Sequence, residues 1–228
     1  MLAGLAGCSS RKEASTTEGR SAATPSSETA PSRQEQAPEP SDKRPVIVAF
    51  GDSLTAGVAG RSYPEQLQDL LDENHLGYRV DNQGVSGDTS TDGLARIDNV
   101  IAAKPALVIL EFGGNDGLRG IPVDTARKNL TEMIERLTAA KLRVVLLGIT
   151  LPPNYGPDYV GPFTAMFPAL AKKYRLPYIP FLLQHVYQHP ELMQPDGIHP
   201  NGAGNKVVAR DVFELIRPIL LHEKTARS

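Results

Sequence analysis

Residues 46–55, which read VIVAFGDSLT, decide the fold of this chain. Five apolar residues in succession, with charge before them and Gly51 after them, predict a fully buried β-strand that ends in a sharp turn. Ser53 then lies just past the carboxyl end of a core strand, where open α/β sheets bind their ligands. Its hydroxyl is therefore either a candidate nucleophile or only a cap for the following segment.

Outward from this strand, apolar strands alternate with helical patterns. Further strands are predicted near residues 78–82 and at 106–112, 142–149 and 177–179. The apolar faces of five intervening or closing helices are marked by Tyr63, Leu67, Leu70 and Leu71; by Leu94, Ile97 and Ile101; by Ala126, Leu130, Met133, Ile134 and Leu137 after Pro122; by Phe163, Phe167, Leu170 and Tyr174; and by Val208, Val212 and Ile216. Strands separated by single helices need crossover connections. The pattern therefore predicts an α/β fold, a three-layer α/β/α flavodoxin-like sandwich around a central five-stranded parallel sheet.

A low-complexity segment precedes the strand. Residues 9–44 contain no Val, Ile, Leu, Met, Phe, Tyr or Trp, so they cannot bury enough apolar surface to offset their ordering entropy. Their six Lys and Arg balance six Asp and Glu. We therefore expect a neutral, disordered tether over 9–44, one domain over 45–220 and a polar tail over 221–228.

The single cysteine, Cys8, ends the sequence LAGC and directly precedes the tether. This arrangement resembles a bacterial lipoprotein signal over residues 1–8, in which cleavage before the cysteine is followed by lipidation of its thiol. No basic residue precedes Cys8, so the charged part of such a signal is missing. The resemblance implies a protein outside the cytoplasm, in the periplasm or held on a bacterial membrane only through a lipid on Cys8.

Charge and histidine spacing bear on partners and cofactors. The formal net charge is −2, with 24 Lys and Arg against 26 Asp and Glu, which argues against a nucleic-acid partner. His185 and His189 lie near Asp196 and His199 in the sequence, but the spacings typical of metal ligands are missing. We expect no metal and no cofactor.

Polar loops follow three of the predicted strands. They contain Gly84 and Gly87, then Asn115, then Asp196 with His199, and the carboxyl ends of parallel strands bring such loops together around Ser53. Each residue also has an ordinary role, because glycine and asparagine permit turns and Asp88 can cap a helix. Nucleophilic catalysis needs a nucleophile, a base, a carboxylate and oxyanion donors together, and these loops offer all of them.

These residues resemble the SGNH or GDSL hydrolases. The four blocks of that family read here GDSLTAG with Ser53, NQGVSGDTS with Gly84, GGNDGLRG with Asn115, and DGIHPN with Asp196 and His199. The segments LPPNYG, residues 151–156, and MQPDGIHP, residues 193–200, are similar to the bacterial thioesterase, lysophospholipase and arylesterase branch.

The resemblance implies a role for each of these residues. Ser53 would attack an acyl carbon, His199 would act as general base and Asp196 would orient His199. The backbone N–H groups of Ser53 and Gly84 and the side-chain amide of Asn115 would bind the oxyanion. The residues expected to line the substrate site are Leu118, Ile121, Pro153 and Tyr155, with 117–122 as a mobile lip.

We therefore expect a monomeric serine esterase acting on a small aryl or acyl ester, and on lysophospholipids and acyl thioesters. An O-deacetylase of carbohydrate or cell-wall polymers, using the same triad, is the alternative. A third possibility is a non-catalytic anchored binding protein, against which the complete set of catalytic residues argues.

Overall fold

The computed structural model describes residues 42–227, with side chains up to residue 222. Residues 1–41, which hold Cys8 and most of the predicted tether, lie outside the described part. Asp42–Arg44, predicted as the end of the tether, belong instead to the folded unit. The Arg44 guanidinium donates to Asp72 Oδ1 at 2.9 Å and to the Tyr78 carbonyl at 3.2 Å, so it attaches the chain to the domain before β1.

One parallel sheet of five strands is the centre of the domain, as the alternation predicts. The strands are β1 (Val46–Gly51), β2 (Arg79–Gly84), β3 (Leu107–Glu111), β4 (Val144–Leu147) and β5 (Tyr178–Ile179). Their order is β2-β1-β3-β4-β5, so β1 lies between β2 and β3. The predicted strand bounds differ from these by up to two residues. β5 is the shortest strand because it pairs only with Leu146 and Leu147 of β4.

Eight α-helices and two short 3₁₀ helices, Pro153–Tyr155 and Pro190–Leu192, occur in residues 42–227. The α-helices are α1 (Ser53–Ala56), α2 (Tyr63–Glu73), α3 (Ser90–Ala95), α4 (Ile97–Ala102), α5 (Gly114–Leu118), α6 (Val123–Ala139), α7 (Pro157–Tyr174) and α8 (Gly202–Arg227). The predicted tail at 221–228 thus continues α8 as far as Arg227. In this part of the chain we find no helix that is both long and apolar enough to cross a membrane.

Two layers of helices cover the sheet. The chain moves from β1 to β2 in one direction and from β2 through β5 in the other, so right-handed crossovers place α2 on one face and α3, α6 and α7 on the opposite face. Helix α8 packs against α2, and α6 packs against α3 and α7. β1 lies between these layers, where Ile47, Val48, Ala49 and Phe50 are completely buried.

The helix predicted through Leu94, Ile97 and Ile101 is interrupted at Arg96, which separates α3 from α4. The Arg96 backbone leaves the helical region, and its guanidinium donates to the carbonyls of Gln83 and Gly51 at 2.8 and 3.0 Å. The short helices α1 and α5 were not predicted, because four or five residues are too few to show a helical period.

Candidate active site

Ser53 is the first residue of α1, immediately after β1. The Asp52 side chain caps this helix, with Oδ1 accepting the Leu54 N–H at 3.0 Å. A Cβ at Gly51 would lie 2.2 Å from Thr55 Oγ1 and 2.7 Å from the Glu111 carbonyl, so only glycine fits at this turn. The tight turn leaves the half-buried Ser53 at the carboxyl edge of the sheet.

His199 and Asp196 lie beside Ser53, although 146 residues separate Ser53 from His199 in the chain. Ser53 Oγ is 2.8 Å from His199 Nε2, and His199 Nδ1 is 2.7 Å from Asp196 Oδ2. Asp196 Oδ1 also accepts the backbone N–H groups of Ile198 and His199, at 2.9 and 3.0 Å. These bonds hold the carboxylate and the imidazole in one orientation toward the serine.

The hydrogen bonds also set the charge of Asp196. Partial burial acts to raise its pKa, but the bonds from the His199 backbone and ring and from Ile198 outweigh burial and lower the pKa to about 2. Asp196 is therefore a carboxylate at neutral pH, and it faces the imidazole nitrogen remote from Ser53. A hydroxyl, an imidazole and a carboxylate in this order can perform nucleophilic catalysis.

Of the two glycines in the second loop, Gly87 rather than Gly84 lines the cavity beside Ser53. Gly84 is still part of β2, opposite Gly51, and its N–H already donates to Asn82 Oδ1 at 2.9 Å. Gly87 forms the turn, with a φ of +88°, and its N–H has no acceptor among the described residues. The sequence-based prediction that the N–H of Gly84 lies beside Ser53 is therefore wrong, and Gly87 lines the cavity in its place.

Asn115 lines the same cavity from α5. Its Nδ2 donates to the Asp88 carbonyl at 2.9 Å and, over a longer distance of 3.3 Å, to Asp52 Oδ2. The side-chain amide is thus fixed by two loops that meet at Ser53. The weaker of its two bonds can yield to a better acceptor.

Asp88 does not cap the following helix, because Thr89 and Asp92 form the capping box of α3. Asp88 instead pairs with Arg96, whose Nε is 2.8 Å from Asp88 Oδ2. The same guanidinium lies 4.4 Å from the centre of the Phe50 ring. Arg96, which sequence reasoning missed, therefore links the second loop to β1, the strand that precedes Ser53.

A second carboxyl, Glu111, was also missed; it lies beneath the Ser53 turn. Glu111 is completely buried, and its Oε2 accepts the Asp52 N–H at 3.1 Å and the Thr55 hydroxyl at 2.9 Å. Burial and the nearby Asp52 raise the pKa of Glu111 well above its ordinary value. Burial likewise raises the pKa of Asp52 to about 6. The only sequence signal was a charged residue at the end of an apolar strand.

An apolar cavity of about 370 Å³ opens at Ser53, and we refer to it as the catalytic cavity. Its lining combines Ser53, Asn115 and His199 with mostly apolar side chains, which include Leu54, Val58, Leu118, Ile149, Leu151, Pro152, Phe181, Leu183, Tyr187 and Ile198. Of the four residues predicted to line the substrate site, Leu118 lines this cavity and Pro153 lines a neighbouring one. Ile121 and Tyr155 line neither.

Ile121 and Tyr155 instead take part in holding the loop predicted as a mobile lip. The Tyr155 hydroxyl donates to the Leu118 carbonyl at 3.3 Å, and the Tyr159 hydroxyl donates to the Ile121 carbonyl at 2.6 Å. Gly117, predicted as a source of flexibility, is buried against Leu151, because a Cβ there would lie 2.3 Å from Leu151 Cδ2. These contacts tie residues 117–121 to the segment after β4.

Two of the other histidines, His185 and His189, each pair with a single carboxylate. His185 Nδ1 is 2.8 Å from Asp211 Oδ2, and His189 Nδ1 is 3.2 Å from Glu191 Oε1. Within residues 42–222 no group of three or more His, Cys, Asp or Glu side chains is placed to hold a metal ion. Both exposed pairs lie outside the lining of the catalytic cavity.

The chain is similar to known proteins over most of its folded domain. The model of the GDSL-like Lipase/Acylhydrolase family matches residues 49–207. Esterase TesA of Pseudomonas aeruginosa is 39% identical over 179 residues, which cover 77% of this chain and 89% of that protein. The Escherichia coli protein named thioesterase 1/protease 1/lysophospholipase L1 is 36% identical over 182 residues, covering 78% of this chain and 86% of that one.

The fold of the domain is also similar to that of a solved esterase structure. The psychrotrophic esterase EstA from Pseudoalteromonas sp., crystallised inhibited by monoethylphosphonate, superimposes with a TM-score of 0.72 at 31% identity. The match covers 77% of this chain and 98% of that one.

Proposed function

The chain belongs to the GDSL-like lipase/acylhydrolase family and is a carboxylic-ester hydrolase, and we propose that Ser53, His199 and Asp196 are its catalytic triad. The observation that carries this proposal is the unbroken chain of hydrogen bonds from Ser53 Oγ through the His199 ring to Asp196, at 2.8 and 2.7 Å.

The triad supports an acyl-enzyme mechanism. His199 Nε2 takes the proton of Ser53 as Oγ forms a bond to the acyl carbon, and then gives that proton to the leaving alcohol. In the second half of the reaction His199 deprotonates a water molecule, which attacks the acyl carbon; the bond from that carbon to Ser53 Oγ breaks, His199 returns the proton to Oγ, and the acid leaves. Asp196, ionised at neutral pH, stabilises the imidazolium in both halves.

Three donors suit the negative charge that develops on the acyl oxygen. They are the backbone N–H groups of Ser53 and Gly87 and the side-chain amide of Asn115. Gly87 replaces Gly84 in this proposal because its N–H is unused by the described residues and because it lines the catalytic cavity. Donors fixed before the reaction stabilise the charge without reorganisation.

We predict that Asn115→Ala lowers kcat by about 100-fold and leaves KM within about twofold, because the amide binds charge that exists only in the transition state. Initial-rate kinetics on p-nitrophenyl octanoate measure both constants. Asn99→Ala, the same change at an exposed position of α4, is the control and should retain wild-type kinetics. A change in KM alone would assign Asn115 to the loop structure instead.

The lining of the catalytic cavity favours esters with an acyl chain. Apolar side chains surround Ser53, and a saccharide would leave its hydroxyl groups without partners there. This argues against the alternative function, O-deacetylation of a carbohydrate or cell-wall polymer. The name of the Escherichia coli relative, a thioesterase and lysophospholipase, adds acyl thioesters and lysophospholipids to the substrates that we propose for this chain.

Hydrolysis of p-nitrophenyl esters from acetate to hexadecanoate, beside an acyl-CoA and a lysophospholipid, tests this function. We expect octanoate to be cleaved with a higher kcat/KM than acetate, because each buried methylene contributes about 0.8 kcal/mol. A preference for acetylated saccharides over every acyl ester would instead favour the deacetylase.

We also propose that the enzyme acts outside the cytoplasm and is attached to a membrane through Cys8. The support is the LAGC sequence followed by the 9–44 segment. Cys8→Ser should then abolish partitioning of the bacterially expressed protein into a detergent phase, and Ser10→Ala should not. Partitioning that survives Cys8→Ser would contradict lipidation.

A further inference from the structure

A second cavity of about 670 Å³ lies beside the catalytic cavity, and we refer to it as the distal cavity. It is bounded by the segment after β4, the first turns of α7 and the segment after β5. One side of the distal cavity is lined by Pro153, Val160 and Gly161, and the other side is lined by Phe181 and Tyr187.

The two cavities share a wall. Five residues line both of them: Thr150, Leu151, Pro152, Phe181 and Tyr187. Phe181 and Tyr187 pack edge to face with their ring centres 5.9 Å apart, so an aromatic pair forms one part of this wall and residues 150–152 form the other. Both rings line both cavities, and Tyr187 is also exposed to solvent.

The chemistry of the distal cavity fits a hydrocarbon. No Asp, Glu, Lys, Arg or His lines it, and the Thr150 hydroxyl is already bonded to the Thr164 hydroxyl at 3.0 Å. The other polar groups among its lining side chains are the Gln188 amide and the Tyr187 hydroxyl. A ligand that brought charge or many hydroxyl groups would find few hydrogen-bond partners here, whereas methylene groups give up no hydrogen bond when they enter.

The volume of the catalytic cavity determines how much of an acyl chain extends into the distal cavity. At roughly 30 Å³ for each water-sized group, the catalytic cavity holds roughly a dozen methylene-sized groups, including those of the reacting ester. By this count an octanoyl chain would fit within it and a hexadecanoyl chain would exceed it.

We propose that the distal cavity binds the far end of long acyl chains, which pass from Ser53 along the shared Phe181–Tyr187 wall. The substrates implied are esters of long-chain fatty acids, and the inference rests on the proposed esterase function. Octanoyl and shorter chains end in the catalytic cavity and do not depend on the distal one.

Gly161 offers a way to fill the distal cavity alone. It is an exposed residue of α7, and a Cβ added there meets no atom within 4 Å. Leucine suits a helix better than glycine does, and the same helix already accommodates Phe167 directly before Pro168. Gly161→Leu should therefore fold, with its side chain in the distal cavity, and Gly161→Ala is the matched control that changes the backbone but fills little space.

The test compares p-nitrophenyl octanoate with p-nitrophenyl hexadecanoate in one detergent. We expect Gly161→Leu to lower kcat/KM for hexadecanoate by about tenfold or more, since each displaced methylene costs roughly fourfold, and to leave octanoate unchanged. Gly161→Ala should match the wild type on both esters. Val160→Phe narrows the same cavity from the neighbouring position and should repeat the chain-length effect.

Equal rates of wild type and Gly161→Leu on hexadecanoate would overturn the proposal, as would an equal loss on both esters. If the folded wild type cleaved no ester at all, the proposed function would fail, and the distal site with it. Octanoate hydrolysis that is intact in every variant therefore separates failure of the subsite from failure of the function.

Discussion

Ser53→Ala and His199→Ala should each lower kcat for p-nitrophenyl octanoate by roughly 10⁴-fold or more, because the nucleophile and its base act as one unit. For the same reason the double variant should be little worse than either single variant. Both residues lie at the carboxyl edge of the sheet and outside the buried core, so thermal unfolding midpoints should change little.

His185→Ala is the matched control for this experiment. His185 pairs with Asp211 at 2.8 Å, much as His199 pairs with Asp196, but it lies outside the catalytic cavity. It should retain wild-type rates. A fluorophosphonate probe should label the wild type and not Ser53→Ala, and substantial turnover by Ser53→Ala would refute the triad.

The sequence predicts Ser53 and its strand well, because both are local. A run of apolar residues followed by Gly51 specifies a buried strand and a tight turn without reference to any other part of the chain. Asp196 and His199 are also local to each other, three residues apart on one loop. Their approach to Ser53 follows from the parallel sheet, since the carboxyl ends of its strands lie along one edge.

The choice between Gly84 and Gly87 could not be made from the sequence. Both glycines occur in one predicted loop, and which of them lies beyond the strand depends on where β2 ends, which pairing with β1 determines. The distal cavity is a similar case, since it forms between residues 150–161 and residues 181–188. Neither segment carries a pattern that indicates the other.

The burial of Glu111 is a third feature that the sequence does not predict. A charged residue at the end of an apolar strand is compatible with solvent exposure, and only the position of β3 beside β1 buries it beneath the Ser53 turn. Its partners, the Asp52 N–H and the Thr55 hydroxyl, are more than 50 residues away in the chain. Tyr63 extends the network, with its hydroxyl 3.3 Å from Thr55 Oγ1.

Glu111→Ala should lower the free energy of unfolding by about 3 kcal/mol or more, because it leaves two buried donors without an acceptor and creates a cavity. The unfolding midpoint should fall by about 10 °C. Since the Asp52 N–H belongs to the turn that carries Ser53, kcat should fall as well. Urea unfolding and ester kinetics at pH 7 measure the two effects.

Glu111→Gln separates the acceptor role of Glu111 from its charge. Glutamine keeps an oxygen for the Asp52 N–H and the Thr55 hydroxyl, and its amide resembles the protonated carboxyl that a raised pKa implies. We therefore expect wild-type kcat and a free energy of unfolding within about 1 kcal/mol of the wild type at pH 7. A loss as large as that of Glu111→Ala would show that glutamine cannot replace the carboxyl.

The pH dependence of stability gives a further readout. The pKa of Asp52 is raised from 3.8 to about 6, and that of Glu111 is raised well above 4.5, so the folded protein retains protons that the unfolded chain releases. These two groups therefore make the free energy of unfolding fall as pH rises from about 4 through about 6.

Asp196 acts in the opposite sense but at lower pH. Its contribution to the free energy of unfolding is complete above pH 3.8 and is lost as the pH falls toward about 2. Glu111→Gln removes one titrating group of the buried pair, so its stability should fall less than that of the wild type between pH 4.5 and pH 8, and an unchanged slope would mean that Glu111 is ionised in the folded protein.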